Sequence, residues 1–264
     1  MSVHDELRVA LAGARSGTLP TAAARAAGGC SRLVRMHVRD LRRLGLPAVF
    51  ASELASTRAL DADHLRRALS PAGGEVACLS ESAYPAPLRE LHDPPVAVFT
   101  RGAGGPAGRV GQPAIAVVGS RRASDPGLRR ARELAAFAAS HGVAVISGLA
   151  LGIDAAAHAG ALQAGGATVA VLGCGVDVVY PRTNAGLFAR VLEHGLLVSE
   201  YPSGVAPAPW RFPARNRLIA ALADVVLVVE AEARSGALIT ADHALDLGRD
   251  VLAVPGSPSA RGAA

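Results

Sequence analysis

The residues best fitted to do chemistry in this sequence are glycines, serines and arginines, grouped in short segments that each follow an apolar run. The first is Gly119-Ser120-Arg121-Arg122, and the second opens with Ser147-Gly148 and closes with Gly152. A helical pattern follows each one, so unpaired amides and the positive end of a helix would face whatever enters. That chemistry is anion binding, and phosphate is its natural guest. Later segments add Gly173 and Gly175 in GCGVDVVYP, then Arg211, Arg215, Asn216 and Arg217 in WRFPARNR. Arg234, Ser235 and Gly236 complete the set. Arginine binds phosphate bidentately, and asparagine bonds backbone or base edges. Trp210 and Phe212 flank Arg211 in a chain with 3% aromatics. Two readings stand for them: base stacking, or an apolar plug over the sheet edge.

Other chemistries find less support. All 27 residues counted as Lys+Arg are arginine, which removes Walker-A, Schiff-base and kinase-type lysines. GSRRAS lacks the second and third glycines of a dinucleotide loop, and GCGVDV has the first pair only. Ser120, Ser147 and Ser199 lie in no GxSxG element. Cys30, Cys78 and Cys174 are far apart without CxxC spacing, so neither a zinc site nor a disulfide framework is expected. Asp154 and His158 share one helix face. Two ligands without a third favour a capping Asp and a half-buried His packed under the loop. The sequence therefore predicts a binder without catalytic residue, metal or cofactor.

These donors need a regular frame. From Ala114 onward, apolar strands are expected at Ile115–Val118, Val143–Ile146, Thr168–Leu172, Leu196–Val198, Val225–Val229 and Val251–Val254. Helices are expected between them at Pro126–Ser140, Asp154–Ala164, Thr183–Glu193, Arg215–Leu222 and Ser235–Leu247. Alternation of this kind, with uniformly apolar strands, predicts an α/β fold: an extended Rossmann-like, doubly wound, mostly parallel sheet. Ligands in such sheets sit beyond the carboxyl ends of the strands, where the donor segments collect.

Residues 1–78 read as a small all-helical N-terminal domain, 79–113 as an extended connector with a short strand at Val96–Phe99, 114–258 as the Rossmann-like domain that carries the site, and 259–264 as a tail. In the first, a helix is expected from Ser31 to Leu44. Val34, Val38 and Leu41 share one of its faces, with Arg32, Arg35, Arg39, Arg42 and Arg43 opposite. With the short TAAARAAGG helix before it, this is either helix-turn-helix-like or a SAM-like amphipathic bundle with a solvated Arg-rich face.

At 264 residues, half of them hydrophobic, the chain can bury one good core and a satellite. No run of eighteen apolar residues marks a membrane span, and the N-terminus has no signal-peptide pattern, so a cytoplasmic setting is expected. A net charge of +5 fits a polyanion partner.

Between Tyr84 and Gly256 the sequence resembles the DNA-processing protein A family, also called Smf. YPAPL…DPP, AIAVVGSR, SGLALGIDAAAH, TVAVLGCGVDVVYP, SEYP, FPARNR, VVEA, SGALITADHAL and VPG occur in the family's order and spacing. The resemblance implies an extended Rossmann fold that binds single-stranded DNA without strong sequence preference. It further implies protection of incoming DNA in natural transformation, loading of the RecA recombinase, and homodimerisation, with no established catalytic activity. Its phosphate contacts map to Gly119, Ser120 and Arg121, to Ser147 and Gly148, and to Arg215 and Asn216. Ala167 stands where many members carry a basic residue. The family pattern runs on after Gly256 into a Gly/Asn loop and another helix, where this sequence reads SPSARGAA. The homodimer expectation thus rests on a surface that the sequence carries only in part. The alternative from the residues themselves is a nucleotide-binding enzyme or sensor on a related sheet, like the phosphoribohydrolases. Their PGGxGT loop is missing, and Glu200 and Glu230 are the nearest strand-end acids.

Overall fold

The computed structural model describes residues 2–17, 20–103, 113–232 and 235–256. Its centre is one sheet of eight strands: β1 (Glu75–Cys78), β2 (Ala97–Gly102), β3 (Ala114–Val118), β4 (Ala144–Ser147), β5 (Thr168–Leu172), β6 (Leu196–Ser199), β7 (Val225–Val228) and β8 (Asp250–Ala253). Their spatial order is β1-β2-β6-β5-β4-β3-β7-β8. The strands from β3 to β8 pair in parallel, while β2 runs antiparallel to β6 and β1 antiparallel to β2. This is the Rossmann-like, mostly parallel architecture that the apolar strand pattern predicts. β4, β5 and β6 are buried at every position, as strands covered on both faces must be. The order in which strands are added reverses at β3, with β4 on one side and β7 on the other. A crevice opens at such a switch point, beyond the carboxyl ends of the two strands.

Six helices precede the parallel sheet: α1 (Val3–Ser16), α2 (Pro20–Ala27), α3 (Cys30–Leu33), α4 (Val38–Arg43), α5 (Ala48–Ser56) and α6 (Ala62–Leu69). Leu7 and Leu11 of α1, with Leu65 and Leu69 of α6, pack onto Cys78, Phe99 and Leu172 of the sheet. The other side of α1 joins α2 to α5 around Leu33, Leu41, Phe50 and Leu54. Two expectations are corrected here. The helix expected over Ser31–Leu44 is broken, because His37 is extended (φ −73°, ψ 150°) between α3 and α4. The break lets Leu33, Val34 and Leu41 all reach one core while Val38 stays exposed. Residues 75–78, expected within the helical region, form strand β1.

Alternate residues of each parallel strand face opposite layers. Ala116, Ile146 and Val171 meet α10 (Arg211–Leu222) and α11 (Gly236–Asp246) through Leu218, Ala221 and Ala237. Val117 and Val145 meet α7 (Asp125–Ser140) and α8 (Ile153–Gln163) through Ala131, Ala135 and Ala157. α9 (Ala185–His194) covers Leu172 and Leu197 with Phe188 and Val191. Ser124 caps α7, its hydroxyl accepting the Gly127 N–H at 3.1 Å, and Pro126 follows in the first turn.

Candidate functional site

At the switch point, the loops after β3 and β7 and the first turns of α10 and α11 enclose a cavity of about 340 Å³. One wall is the β3 loop. The Ser120 N–H donates to Glu230 O at 2.7 Å, and Ser120 O accepts the Ile153 N–H at 3.2 Å, so the loop is held between β7 and α8. Only glycine fits such close backbone packing: a Cβ on Gly119 would lie 2.6 Å from Ile153 Cγ1 and 2.8 Å from Glu230 O. Gly152 (φ 77°) meets Ser120 O and Arg121 from the other side. The Ser120 hydroxyl accepts the Arg122 N–H at 3.1 Å, which orients the two arginines that follow. Arg121 is exposed and lies 5.3 Å above the Phe212 ring, and that ring stacks on Tyr180 at 5.3 Å.

Arg215 forms the floor and is only 3% exposed. Its Nη1 donates to Gly148 O at 2.9 Å and to Val171 O, and its Nε donates to Asn216 Oδ1 at 3.2 Å. A Cβ on Gly148 would stand 2.6 Å from Arg215 Cζ, so glycine at 148 is what admits the guanidinium. Burial pulls the Arg215 pKa below its ordinary value, Asp154 opposes this and Arg121 adds to it. An arginine keeps its proton even so. Asp154 is spent on the loop: its Oδ2 accepts the amides of Gly148 (3.1 Å) and Ala150 (3.4 Å), and burial raises its pKa. Among the described residues no carboxylate pairs directly with Arg215. With Arg121 and Arg122 at the mouth, the cavity lining carries three arginines against Asp154 and Glu232, a surplus of positive charge that favours an anion. Asn216 Nδ2 donates to Gly236 O at 3.0 Å and ties α10 to α11.

Of the expected residues, Gly119, Ser120, Arg121, Arg122, Phe212, Arg215, Asn216, Ser235 and Gly236 line this one cavity. Ser235 also caps α11, accepting the Ala237 N–H at 3.2 Å. The others do not line it. The buried Ser147 hydroxyl donates to Val117 O at 2.7 Å, and the Gly148 amide is taken by Asp154, so these two groups are engaged within the fold and Gly148 serves to position Arg215. Gly173 lies under Phe212, and Gly175 is packed against Pro202 O and Asp177. Arg211 donates to Ala206 O and lies over the rings of Tyr201 (4.8 Å) and Trp210 (5.1 Å). Arg217 is locked between Glu200 (2.8 Å) and Asp93 (3.2 Å), which leaves it no charge for phosphate. Trp210, 51% exposed, stands outside the cavity on a narrow cleft against the end of α1. Arg234 falls outside the described residues.

Tyr180, 41% exposed beside Phe212, was not singled out from the sequence. Its one signal was an aromatic residue in a strand-end segment. His158 is a packing residue: its Nδ1 lies 2.7 Å from the Thr168 hydroxyl, which itself donates to Val145 O at 2.9 Å, so Nδ1 carries the hydrogen. Burial and Arg215 push its pKa down to about 3.

Fold and cavity together define a Rossmann-like α/β protein with an arginine-lined crevice at its topological switch point. The family described as DNA recombination-mediator protein A matches residues 75–264, and the chain belongs to it. It is 44% identical over 177 residues to the DNA processing protein DprA of Streptococcus pneumoniae, covering 67% of this chain and 61% of that one. The matches span 37 to 61% of the length of the curated relatives. The X-ray structure of the Streptococcus pneumoniae DNA processing protein A superposes with a TM-score of 0.76 at 33% identity, covering 98% of this chain and 88% of that chain. The DNA processing protein A of Helicobacter pylori, whose structure concerns its single-stranded DNA binding mode, gives 0.64 at 29% identity over 71% of this chain and 85% of its own.

Proposed function

We propose that the chain binds single-stranded DNA by its phosphates at the switch-point cavity and breaks no bond there. The observation that carries this reading is the buried Arg215, which among the described residues has no directly paired carboxylate and lines one cavity with the exposed Arg121. Phosphate contacts read no sequence, so binding is indifferent to base order. Phe212 and Tyr180 supply an aromatic edge for one base. The biological role we assign is the one the family resemblance implies: handling DNA taken up in natural transformation, protecting it, and helping load the RecA recombinase, in the cytoplasm.

Fluorescence anisotropy with a labelled oligonucleotide at low salt tests the reading. Tight binding is expected, weakened about tenfold or more by Arg121→Ala for every sequence alike, since a charge-assisted contact is worth about 1.5–3 kcal/mol. Absence of binding by the wild-type chain would sink it. Calorimetry with a mononucleotide addresses the enzyme-or-sensor alternative, which tight binding of the monomer would favour.

A further inference from the structure

The N-terminal helices carry a charge feature that the cavity does not use. Between Pro20 and Leu46 the chain has six arginines, Arg25, Arg32, Arg35, Arg39, Arg42 and Arg43, against the single acid Asp40. That stretch alone matches the +5 of the entire chain. All six are exposed, and among the described residues only Arg43 has an acidic partner, Asp40 at 3.3 Å. On α4, Arg39, Arg42 and Arg43 fall at i, i+3 and i+4, so they share one face. A helix-turn-helix use of this surface is ruled out by length. α3 has four residues and α4 six, and a six-residue helix is about 9 Å long, too short to read a major groove.

The start of α2 is tied to the segment that leads into the site. Gly17 and Pro20, where α1 gives way to α2, line one cleft with Trp210 and Arg211. Trp210 immediately precedes the helix that carries Phe212 and Arg215, and Arg25 lies about 7 Å along α2 from Pro20. We infer that the arginines of α2 to α4 form a second phosphate-contact surface, over which a long single strand held at the cavity continues past Trp210. This rests on the proposed function for its partner, and on the charge and contiguity of the N-terminal helices for its place.

The test uses the full chain carrying Arg35→Ala, Arg39→Ala, Arg42→Ala and Arg43→Ala together. Thermal melting checks that these four exposed changes leave the fold intact. Anisotropy is then measured with oligonucleotides of about 6 and about 30 nucleotides, the shorter being the scale of one binding module. The expected result is unchanged affinity for the short strand and about tenfold or greater loss for the long one. The slope of log K against log salt should shrink by about 0.7 for each phosphate contact removed. Wild-type affinity and slope on the long strand would overturn the inference, and so would arginine-dependent capture of anionic vesicles without any effect on the long strand. Arg121→Ala separates the two readings. If it changes neither strand while the fourfold variant weakens the long one, the cavity reading falls, and with it the continuous path, leaving only the phosphate contacts of the N-terminal arginines.

Discussion

Arg215 and Arg217 sit two positions apart on one helix and have opposite fates. Two residues turn the helix by about 200°, so one guanidinium reaches the cavity floor while the other meets Glu200 and Asp93. Gly148 decides the first outcome. Gly148→Ala is expected to displace the Arg215 guanidinium and to weaken oligonucleotide binding as much as Arg215→Gln does, by tenfold or more in anisotropy. Wild-type affinity in Gly148→Ala would show that Arg215 is not a ligand. Arg217→Ala should behave differently, because it strands a buried carboxylate. Urea unfolding is expected to show a loss of about 3–5 kcal/mol, with little change in the affinity of the protein that remains folded. The sequence singled out both arginines as phosphate ligands. It could not separate them, since Asp93 lies 124 residues away in the chain and no local pattern connects the two.

At the scale of elements, the α8 helix and the β4–β5 pair hold a buried imidazole that bears on stability and not on binding. His158 stays neutral in the fold down to about pH 3, whereas in the unfolded chain it takes up a proton near its ordinary 6.5. Its contribution is therefore complete above pH 6.5 and is lost progressively as pH falls from there toward 3. Asp154 and Glu200, raised by burial, act in the opposite sense, so the wild type alone does not isolate the effect. His158→Leu does: its urea midpoint should decline less between pH 7 and pH 4.5 than that of the wild type, and parallel declines would contradict the assignment. The parallel strands and their helices were legible from the sequence because strands buried on both faces must be apolar throughout. β1 was not, since Glu75–Cys78 is a four-residue edge strand whose pairing with β2 is set about twenty residues later. The Ser31–Leu44 helix misled for a related reason. Val34 and Leu41 satisfy helical spacing equally well when two short helices meet at an extended His37.

For the whole molecule, the sheet gathers residues from Gly119 to Gly236, more than a hundred positions apart, onto one edge. That edge was readable in advance from the strand–helix alternation and the placement of glycines at strand ends. Which donors stay free there depends on side-chain pairing, and only the folded chain settles it. Overall charge adds long-range attraction for a polyanion, but a smooth +5 would give weak binding lost to modest salt. The account requires more: discrete phosphate contacts converging at the cavity. The most direct measurement is the salt dependence of affinity for a short single-stranded oligonucleotide, taken for the wild type and for Arg121→Ala combined with Arg215→Gln, with the oligonucleotide's integrity checked on a gel afterwards. The expected result is a wild-type slope steeper than the variant's by about 1.4, for two contacts at about 0.7 each, and an intact strand. Equal slopes, or a strand cleaved by the wild type and spared by the variant, would contradict it.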